Sequence, residues 1–189
     1  EVWKAGLAVC DSVEYGFAVV GYCIAGALGV MLAQPARDVF VLVGDGSYLM
    51  MNSEIATSVM LGLKLTIVVL DNRGYGCIDR LQRATGGQSF NNLLRDAVHE
   101  TLPQIDFAAH ARSLGAVSEK VDGLGGLEAA LARARLAERT SVVVIDTDPF
   151  AATDAGGTWW DVAVPEVSDR AEVREARTRY EVARRERDA

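Results

Sequence analysis

Two continuous apolar runs organise the first half of the chain. Residues 39–43 end in Gly44-Asp45-Gly46-Ser47, and residues 65–70 end in Asp71-Asn72-Arg73-Gly74. Runs of this length, rich in β-branched residues and bounded by Gly and Asp, favour strands of a parallel sheet covered on both faces. Residues 52–61 between them predict a crossover helix. The unit is therefore βαβ, with an expected right-handed crossover.

The alternation of strand and helix patterns continues along the chain. The further predicted elements are helices at 22–33, 105–114 and 124–138 and strands at 116–121 and 141–147. Such alternation predicts an α/β fold, a doubly wound parallel sheet flanked by helices. Residues 77–94 predict a short helix followed by a mobile loop over the ligand site.

The end of the chain has a different pattern. Residues 153–165 predict a loop, and residues 168–187 predict a C-terminal helix with a narrow apolar stripe of Val173, Ala176, Tyr180 and Ala183. We therefore divide the chain into residues 1–150, the ligand-binding domain, and residues 151–189, a loop and helix that pack on the rest of the protein.

Composition narrows the class of protein. The 189 residues are 50% hydrophobic and 24% charged, which is ordinary for a globular domain with a sizeable core. The net charge of −7 argues against a nucleic-acid or anionic-membrane surface. No apolar run reaches the roughly 18 residues of a membrane span, and no signal peptide is recognised. Cys10, Cys23 and Cys77 lack metal-ligand spacing, so we expect free thiols in a cytoplasmic protein.

The two predicted strand ends carry the candidate chemistry. Asp45 and Asn72 leave the carboxyl ends of parallel strands, where open α/β sheets bind their ligands. Their carboxylate and amide oxygens are hard donors that suit magnesium. Gly46 permits close approach of a phosphate, and the helix that follows has free N–H groups that attract anions. The residues therefore predict a magnesium-diphosphate site.

Other polar residues are weaker candidates. His99 and His110 lack a partner pattern and favour surface or helix roles, and Glu54 favours helix stabilisation over acid catalysis. Arg73 fits equally a contact to a phosphate or substrate and an outward-pointing loop residue.

The motif resembles a known one. Gly44-Asp45-Gly46-Ser47, followed by Asn72 27 positions after the aspartate, is similar to the thiamine diphosphate motif of acetolactate-synthase-like enzymes. The resemblance implies that Asp45, Asn72 and the Gly74 carbonyl hold Mg²⁺. The cofactor contacts that it implies in this region are Gly44, Gly46, Ser47, Asn72 and Gly74.

The same resemblance gives a role to two earlier residues. Related enzymes have a bulky aliphatic residue 25 positions before the motif aspartate, which props the cofactor into a bent shape, and this position is Val20 here. A backbone carbonyl two residues earlier, that of Ala18, would accept the aminopyrimidine. Val20 is smaller than the usual Met, Leu or Ile, and a place in the core lining before the helix is an equally good interpretation.

The resemblance extends to a narrower family. Residues 44–76 and 159–168 are similar to trihydroxycyclohexanedione hydrolases of inositol breakdown. This implies the C-terminal, diphosphate-binding domain of a longer enzyme that opens a cyclic 1,2-diketone by hydrolytic C–C bond cleavage. In that family a glutamate of the pyrimidine-binding domain, usually of another subunit, ionises the cofactor. We therefore assign no catalytic residue within this chain, expect a homo-oligomer, and expect the isolated domain to be inactive.

Two alternatives remain open from the sequence. An acetolactate-synthase-like decarboxylase or ligase would use the same cofactor site. A stand-alone cofactor-binding subunit, completed by a partner chain, would carry the same residues.

Overall fold

The described chain falls into two compact units. The structure is a computed structural model that describes residues 19–151 and 162–189. One unit contains the described residues of Ser12–Gly74 together with Thr101–Asp148, and the other contains Tyr75–Glu100 together with the described residues of Pro149–Ala189. The division of the chain at residue 150 into two domains stays a prediction.

A four-stranded parallel sheet forms the centre of the first unit. Its strands are β1 (Val39–Gly44), β2 (Leu65–Asp71), β3 (Val117–Val121) and β4 (Ser141–Asp146). The strand order is β1-β2-β4-β3, and every neighbouring pair is parallel. Gly44 is registered with Leu70, so β1 and β2 end side by side.

Helices alternate with the strands along the chain. They are α1 (Tyr22–Ala33), α2 (Asp45–Met50), α3 (Ser53–Met60), α4 (Gly76–Ala84), α5 (Phe107–Ser113), α6 (Gly123–Leu136) and α7 (Ala171–Asp188). A 3₁₀ turn lies at Leu94–Asp96. Among the described helices, none is long and apolar enough to cross a membrane.

Two apolar layers cover the two faces of the sheet. On one face, strand residues such as Ile67 and Val144 pack with Ile24 of α1, Ile55 of α3 and Phe107 of α5. The opposite layer is smaller. Its buried members are Val68, Val121, Ala130, Val143 and Ile145, with Leu70, Leu127 and Leu131 packed against them. The predicted doubly wound α/β fold with a C-terminal helix is therefore confirmed.

One strand departs from the expected burial on both faces. Val41 and Val43 of β1 are buried, but Phe40 and Leu42 are 47% and 53% exposed. Their side chains alternate along the strand, so they share the opposite face of β1. The smaller apolar layer is built on β2, β3 and β4, and within the described chain it leaves this face of β1 uncovered.

The predicted crossover helix at residues 52–61 is present as α3, and a separate short helix, α2, precedes it. The chain leaves β1 directly into the short helix α2, and α3 begins only at Ser53. Met51 lies between them in a non-helical conformation, with φ −150° and ψ 77°. The side chain of Asn52 donates to the carbonyl of Tyr48 at 3.1 Å, which satisfies a carbonyl at the end of α2.

The second unit is held by a buried carboxylate and a small apolar cluster. Asp79 of α4 is fully buried and forms an ion pair with Arg83, and its Oδ1 accepts a bond from the Ser89 hydroxyl at 2.6 Å. In the C-terminal helix, Val173 and Ala176 pack with Val164. The predicted helix in residues 77–94 is thus present, while the predicted mobility of the loop after it stays a prediction.

Asp79 gives the second unit a specific dependence on acid. Burial of Asp79 by itself raises the pKa of the carboxyl group, but the bonds from Ser89 and Arg83 outweigh it and hold the pKa below the ordinary value of 3.8. The ionised form therefore contributes stability that is fully present above pH 3.8 and is lost as the pH falls through the folded-state pKa.

We expect Asp79→Asn to lower the free energy of unfolding at pH 7 by about 1–3 kcal/mol, because hydrogen bonds to a buried charge are lost. Urea denaturation measures this, with the exposed Asp169→Asn as the matched control in the same unit. The difference in the free energy of unfolding between wild type and Asp79→Asn should become smaller below pH 4. An equal gap at pH 3 and pH 7 would contradict the role of the charge.

Candidate functional site

The candidate site lies where two neighbouring parallel strands end. β1 ends at Gly44, and Asp45 opens α2 directly after it. β2 ends at Asp71, and Asn72 to Gly74 continue as a loop. Because the two strands are paired in register, the start of α2 and this loop lie side by side at the carboxyl edge of the sheet. The predicted meeting of Asp45 and Asn72 therefore occurs.

Asp45 ties the two strand ends together. Its carboxylate is only 4% exposed. One carboxylate oxygen, Oδ2, accepts a bond from the Gly74 backbone N–H at 2.8 Å, and Oδ1 accepts a longer bond from the Asn72 N–H at 3.4 Å. The carboxylate therefore fixes the loop whose side-chain amide and carbonyl were predicted as ligands.

The side-chain amide of Asn72 completes a cluster of polar atoms. One end of this amide lies 3.2 Å from Asp45 Oδ1 and 2.8 Å from the Gly74 carbonyl oxygen. With nitrogen at that end, the amide donates to both acceptors. With oxygen there, three oxygens converge, and such a cluster is stable only around a cation. The hydrogen-bond network decides between the two ends, and in the metal-free chain it places the nitrogen here.

The spacing of these atoms fits a small hard cation. Neighbouring oxygens around octahedral Mg²⁺, each about 2.1 Å from the ion, lie roughly 3 Å apart. The two oxygen separations that Asn72 would make are 2.8 and 3.2 Å. Within the described residues, no three His, Cys, Asp or Glu side chains gather at one point. A metal at this edge would therefore depend on the carboxylate, amide and carbonyl set.

The electrostatics of Asp45 also favour a cation. Burial raises the pKa of the Asp45 carboxyl above its ordinary value, and the nearby charge of Asp71 raises it further. The N–H groups of Asn72 and Gly74 lower the pKa, but they only partly offset these effects. The carboxylate thus lacks full charge compensation from the chain, and a bound divalent ion would provide it.

The residues assigned to the diphosphate lie next to Asp45. Gly44 is the last residue of β1, and Gly46 and Ser47 belong to the first turn of α2. A Cβ atom added at Gly44 would meet no atom within 4 Å, so there is open space beside this backbone. Gly46 is buried and Ser47 is half-buried. These positions are compatible with the predicted contacts, which stay predictions.

Of the two earlier predicted residues, only Val20 can be placed. Val20 is 40% exposed, so it does not line the core. Gly21, next to it, has φ +95°, and a Cβ atom added there would lie 3.2 Å from the Cβ atoms of Met50 and Met51. The turn that carries Val20 therefore packs against the end of α2. Ala18 lies outside the described residues.

Tyr48 anchors α2 in the core. Its side chain is fully buried, and its hydroxyl lies 2.9 Å from Nδ1 of His110 in α5. The ring of Phe107 meets Tyr48 edge to face, with 5.5 Å between centroids. Burial raises the pKa of Tyr48 to about 12, so the hydroxyl stays protonated. These contacts hold the helix that begins with Asp45, and they give His110 a structural role.

Sequence reasoning missed one residue of the site, Asp71. Its side chain is 2% exposed, and its Oδ1 accepts a bond from the Arg73 backbone N–H at 3.1 Å. Arg73 also points its Nε to Asp71 Oδ2 at 3.4 Å. The available signal was an aspartate at a strand end followed two residues later by a turn residue, since Asp often bonds the backbone two positions on.

The fold and site define an α/β domain with an oxygen-rich candidate metal cluster beside open, glycine-lined backbone. Comparison with known proteins gives its family. Residues 7–147 match the family described as thiamine pyrophosphate enzyme, C-terminal TPP binding domain, and the chain belongs to this family.

Individual relatives within this family show higher similarity along most of the chain. The chain is 38% identical over 176 residues to a 3D-(3,5/4)-trihydroxycyclohexane-1,2-dione hydrolase of Halalkalibacterium halodurans, which covers 93% of this chain and 28% of the relative. It is 35% identical over 175 residues to the protein of the same name from Bacillus licheniformis, covering 93% of this chain and 27% of the relative. The chain therefore spans little more than a quarter of the length of these relatives.

A solved structure supports the fold. The thiamine diphosphate-dependent 4-hydroxybenzoylformate decarboxylase of Rhodococcus jostii superposes with a TM-score of 0.60. The match covers 68% of this chain and 23% of that chain, at 23% sequence identity. At this identity the likeness concerns the fold alone.

Gly74 gives a direct test of the loop geometry. Its φ is +146°, a backbone conformation that residues other than glycine rarely adopt. We expect Gly74→Ala to lower the free energy of unfolding by about 1–3 kcal/mol because of backbone strain. Gly29→Ala is the matched control, since Gly29 is helical and a Cβ atom there meets nothing within 4 Å. Urea denaturation compares them, and equal stability of the two variants would contradict the described loop.

Proposed function

We propose that this chain is the thiamine diphosphate- and magnesium-binding domain of a hydrolase. That enzyme would open the ring of trihydroxycyclohexane-1,2-dione by C–C bond cleavage in inositol degradation. The observation that carries the proposal is that the Asp45 carboxylate, the Asn72 side-chain amide and the Gly74 carbonyl meet at the carboxyl edge of the sheet. A bound cation would turn the amide oxygen toward the other two groups. The names of the relatives support the substrate class.

The proposed metal ligands are the Asp45 carboxylate, the Asn72 amide oxygen and the Gly74 carbonyl. Their chemistry suits Mg²⁺, which prefers oxygen ligands in octahedral geometry. Three protein oxygens leave other positions of the ion available to diphosphate oxygens and water. Membership of a TPP-binding family supports this pairing of metal and cofactor.

The remaining proposed cofactor contacts come from backbone that can approach a ligand closely. Gly44 and Gly46 carry no side chain between the backbone and the diphosphate, and the Ser47 hydroxyl can donate to it. Val20 is proposed to support the bent cofactor and the Ala18 carbonyl to accept its aminopyrimidine. The exposure of Val20 supports its availability to a ligand.

In the proposed reaction, this chain and another domain have different roles. When bound, thiamine diphosphate supplies a centre that adds to a carbonyl and stabilises negative charge during C–C cleavage. This chain's residues hold the diphosphate end and thereby fix the reactive ring in place, a contribution of positioning. No residue of this chain is proposed as catalytic. The acid that activates the cofactor would come from a pyrimidine-binding domain of the same or another subunit.

The proposal includes a setting for the enzyme. We propose a cytoplasmic homo-oligomer that acts on a small cyclic diketone and has no nucleic-acid or membrane partner. The net charge of −7 supports the absence of nucleic-acid binding.

The metal assignment predicts that Asp45→Ala abolishes Mg²⁺-dependent binding of thiamine diphosphate. Removal of the only carboxylate ligand leaves two neutral oxygens, which hold a divalent ion poorly. Isothermal titration calorimetry of the full chain measures this. Asp38→Ala is the matched control, because Asp38 is an exposed aspartate of the same unit. Wild-type affinity in Asp45→Ala would overturn the metal assignment.

The division of labour predicts that the chain alone binds the cofactor but does not open the dione ring at a useful rate. Loss of a proton-transfer group costs about 10²–10⁴-fold in rate. Addition of the pyrimidine-binding domain should restore ring opening, measured by loss of the diketone. Pyruvate serves as the competing substrate. Equal rates without the added domain, or turnover of pyruvate in place of the dione, would contradict the proposal.

A further inference from the structure

Asp71 is a buried carboxylate to which the proposed function gives no task. It is the last residue of β2, only 2% exposed, and it directly precedes the proposed ligand Asn72. Both of its side-chain oxygens face one residue, Arg73. Oδ1 accepts the Arg73 backbone N–H at 3.1 Å, and Oδ2 lies 3.4 Å from Arg73 Nε.

Arg73 occupies an unfavourable backbone conformation. Its φ is +63°, and in the described part of the chain only Asn91 shares a positive φ among non-glycine residues. A side chain in this region is strained unless its surroundings hold it there. Asn91 belongs to a residue type that tolerates this region, whereas arginine does not. The conformation of Arg73 therefore needs an explanation.

The chain reverses its direction at Arg73, and this reversal brings the loop of residues 72–74 against Asp45. Asn72 precedes the reversal and Gly74 follows it, and both bond to Asp45 through their backbone N–H groups. If Arg73 relaxed to a negative φ, Gly74 would leave Asp45 Oδ2, and the Gly74 carbonyl would leave the Asn72 amide. The position of the Gly74 carbonyl relative to Asn72 thus depends on this dihedral angle.

We infer that Asp71 is a positioning residue: by accepting the Arg73 N–H it fixes the peptide between Asn72 and Arg73, from which the left-handed turn departs, and so holds Asn72 and Gly74 beside Asp45 before the metal binds. This inference rests on the proposed function for the metal itself. Pre-formation matters because ordering a loop during binding reduces the affinity.

The contact to the backbone N–H fixes the peptide between Asn72 and Arg73, and this peptide sets the direction from which the turn at Arg73 starts. The side chain of Arg73 is 48% exposed and its contact to Asp71 is long, so solvent weakens this ion pair. The main chain of Asp71 is fixed independently, because its carbonyl accepts the Thr147 N–H at 2.8 Å. Removal of the Asp71 side chain should therefore release Arg73 without releasing β2.

Four variants of the full chain separate these contributions. Asp71→Ala removes the acceptor. Asp71→Asn keeps one oxygen that can accept the Arg73 N–H. Arg73→Ala keeps the N–H but removes the guanidinium. Asp71→Ala combined with Arg73→Gly removes the acceptor but also the strain, since glycine adopts positive φ without a Cβ penalty.

Two measurements are made on each variant. The first is hydrogen exchange of the Gly74 amide in metal-free chain, which reports its bond to Asp45. The second is the Mg²⁺ dissociation constant at saturating thiamine diphosphate, by calorimetry. We expect Asp71→Ala to speed the exchange and to weaken Mg²⁺ binding by about 10- to 100-fold. Asp71→Asn should keep the wild-type exchange of the Gly74 amide, and the loss of its charge near Asp45 should weaken Mg²⁺ binding less than Asp71→Ala does. Arg73→Ala should stay within about threefold of wild type in both measurements. Adding Arg73→Gly to Asp71→Ala should return the Gly74 exchange to the wild-type rate.

The outcomes distinguish this inference from the proposed function. Wild-type exchange and wild-type Mg²⁺ affinity in Asp71→Ala would overturn the inference alone. Absence of Mg²⁺ binding by wild type would overturn the proposed function, and Gly74 exchange would still decide whether Asp71 holds the loop. Should Asp71→Ala fail to fold, Arg73→Gly alone is compared with the double variant. Much faster Gly74 exchange in the double variant would then overturn the inference.

Discussion

The bond between the Asp45 carboxylate and the Gly74 N–H is the contact on which the candidate site depends. Asp45 follows β1 and Gly74 follows β2, so this 2.8 Å bond joins two chain segments beyond the last paired residues of the sheet. The carboxylate is buried and partly uncompensated, which makes the arrangement electrostatically costly without a cation. A site of this kind trades stability of the metal-free chain for affinity toward a divalent ion.

Other elements of the first unit hold the two residues of that contact in place. Parallel pairing of β1 with β2 sets the distance between the two strand ends, and Tyr48 fixes the start of α2 through its contact to His110. On the other side of the cluster, Asp71 and the left-handed Arg73 turn the loop back toward Asp45. Strands and helices thus position Asp45, and the loop that carries Asn72 and Gly74 turns toward it at the left-handed Arg73.

Much of the fold and of the site follows from local patterns in the sequence. The strand runs are continuous and apolar, and parallel strands bring their carboxyl ends to one edge, so the meeting of Asp45 and Asn72 was predictable. The crossover helix predicted at residues 52–61 matches α3, whereas the non-helical conformation of Met51, which separates α3 from α2, has no sequence signal of its own. Phe40 and Leu42 are exposed because the smaller apolar layer does not extend over β1. The extent of a layer depends on tertiary packing and has no local sequence signal. The role of Asp71 depends on the φ angle of Arg73, and an arginine gives no sequence signal for a positive value.

A crystal structure of the chain with Mn²⁺ and thiamine diphosphate, with anomalous scattering from the metal, tests the central claim most directly. Mn²⁺ accepts the same octahedral oxygen ligands as Mg²⁺ and is located by its signal. The account predicts one strong anomalous peak, bonded to the Asp45 carboxylate, the Asn72 amide oxygen and the Gly74 carbonyl oxygen. A peak elsewhere, or bound diphosphate with an Asn72 amide that still donates to Asp45 and Gly74, would contradict it.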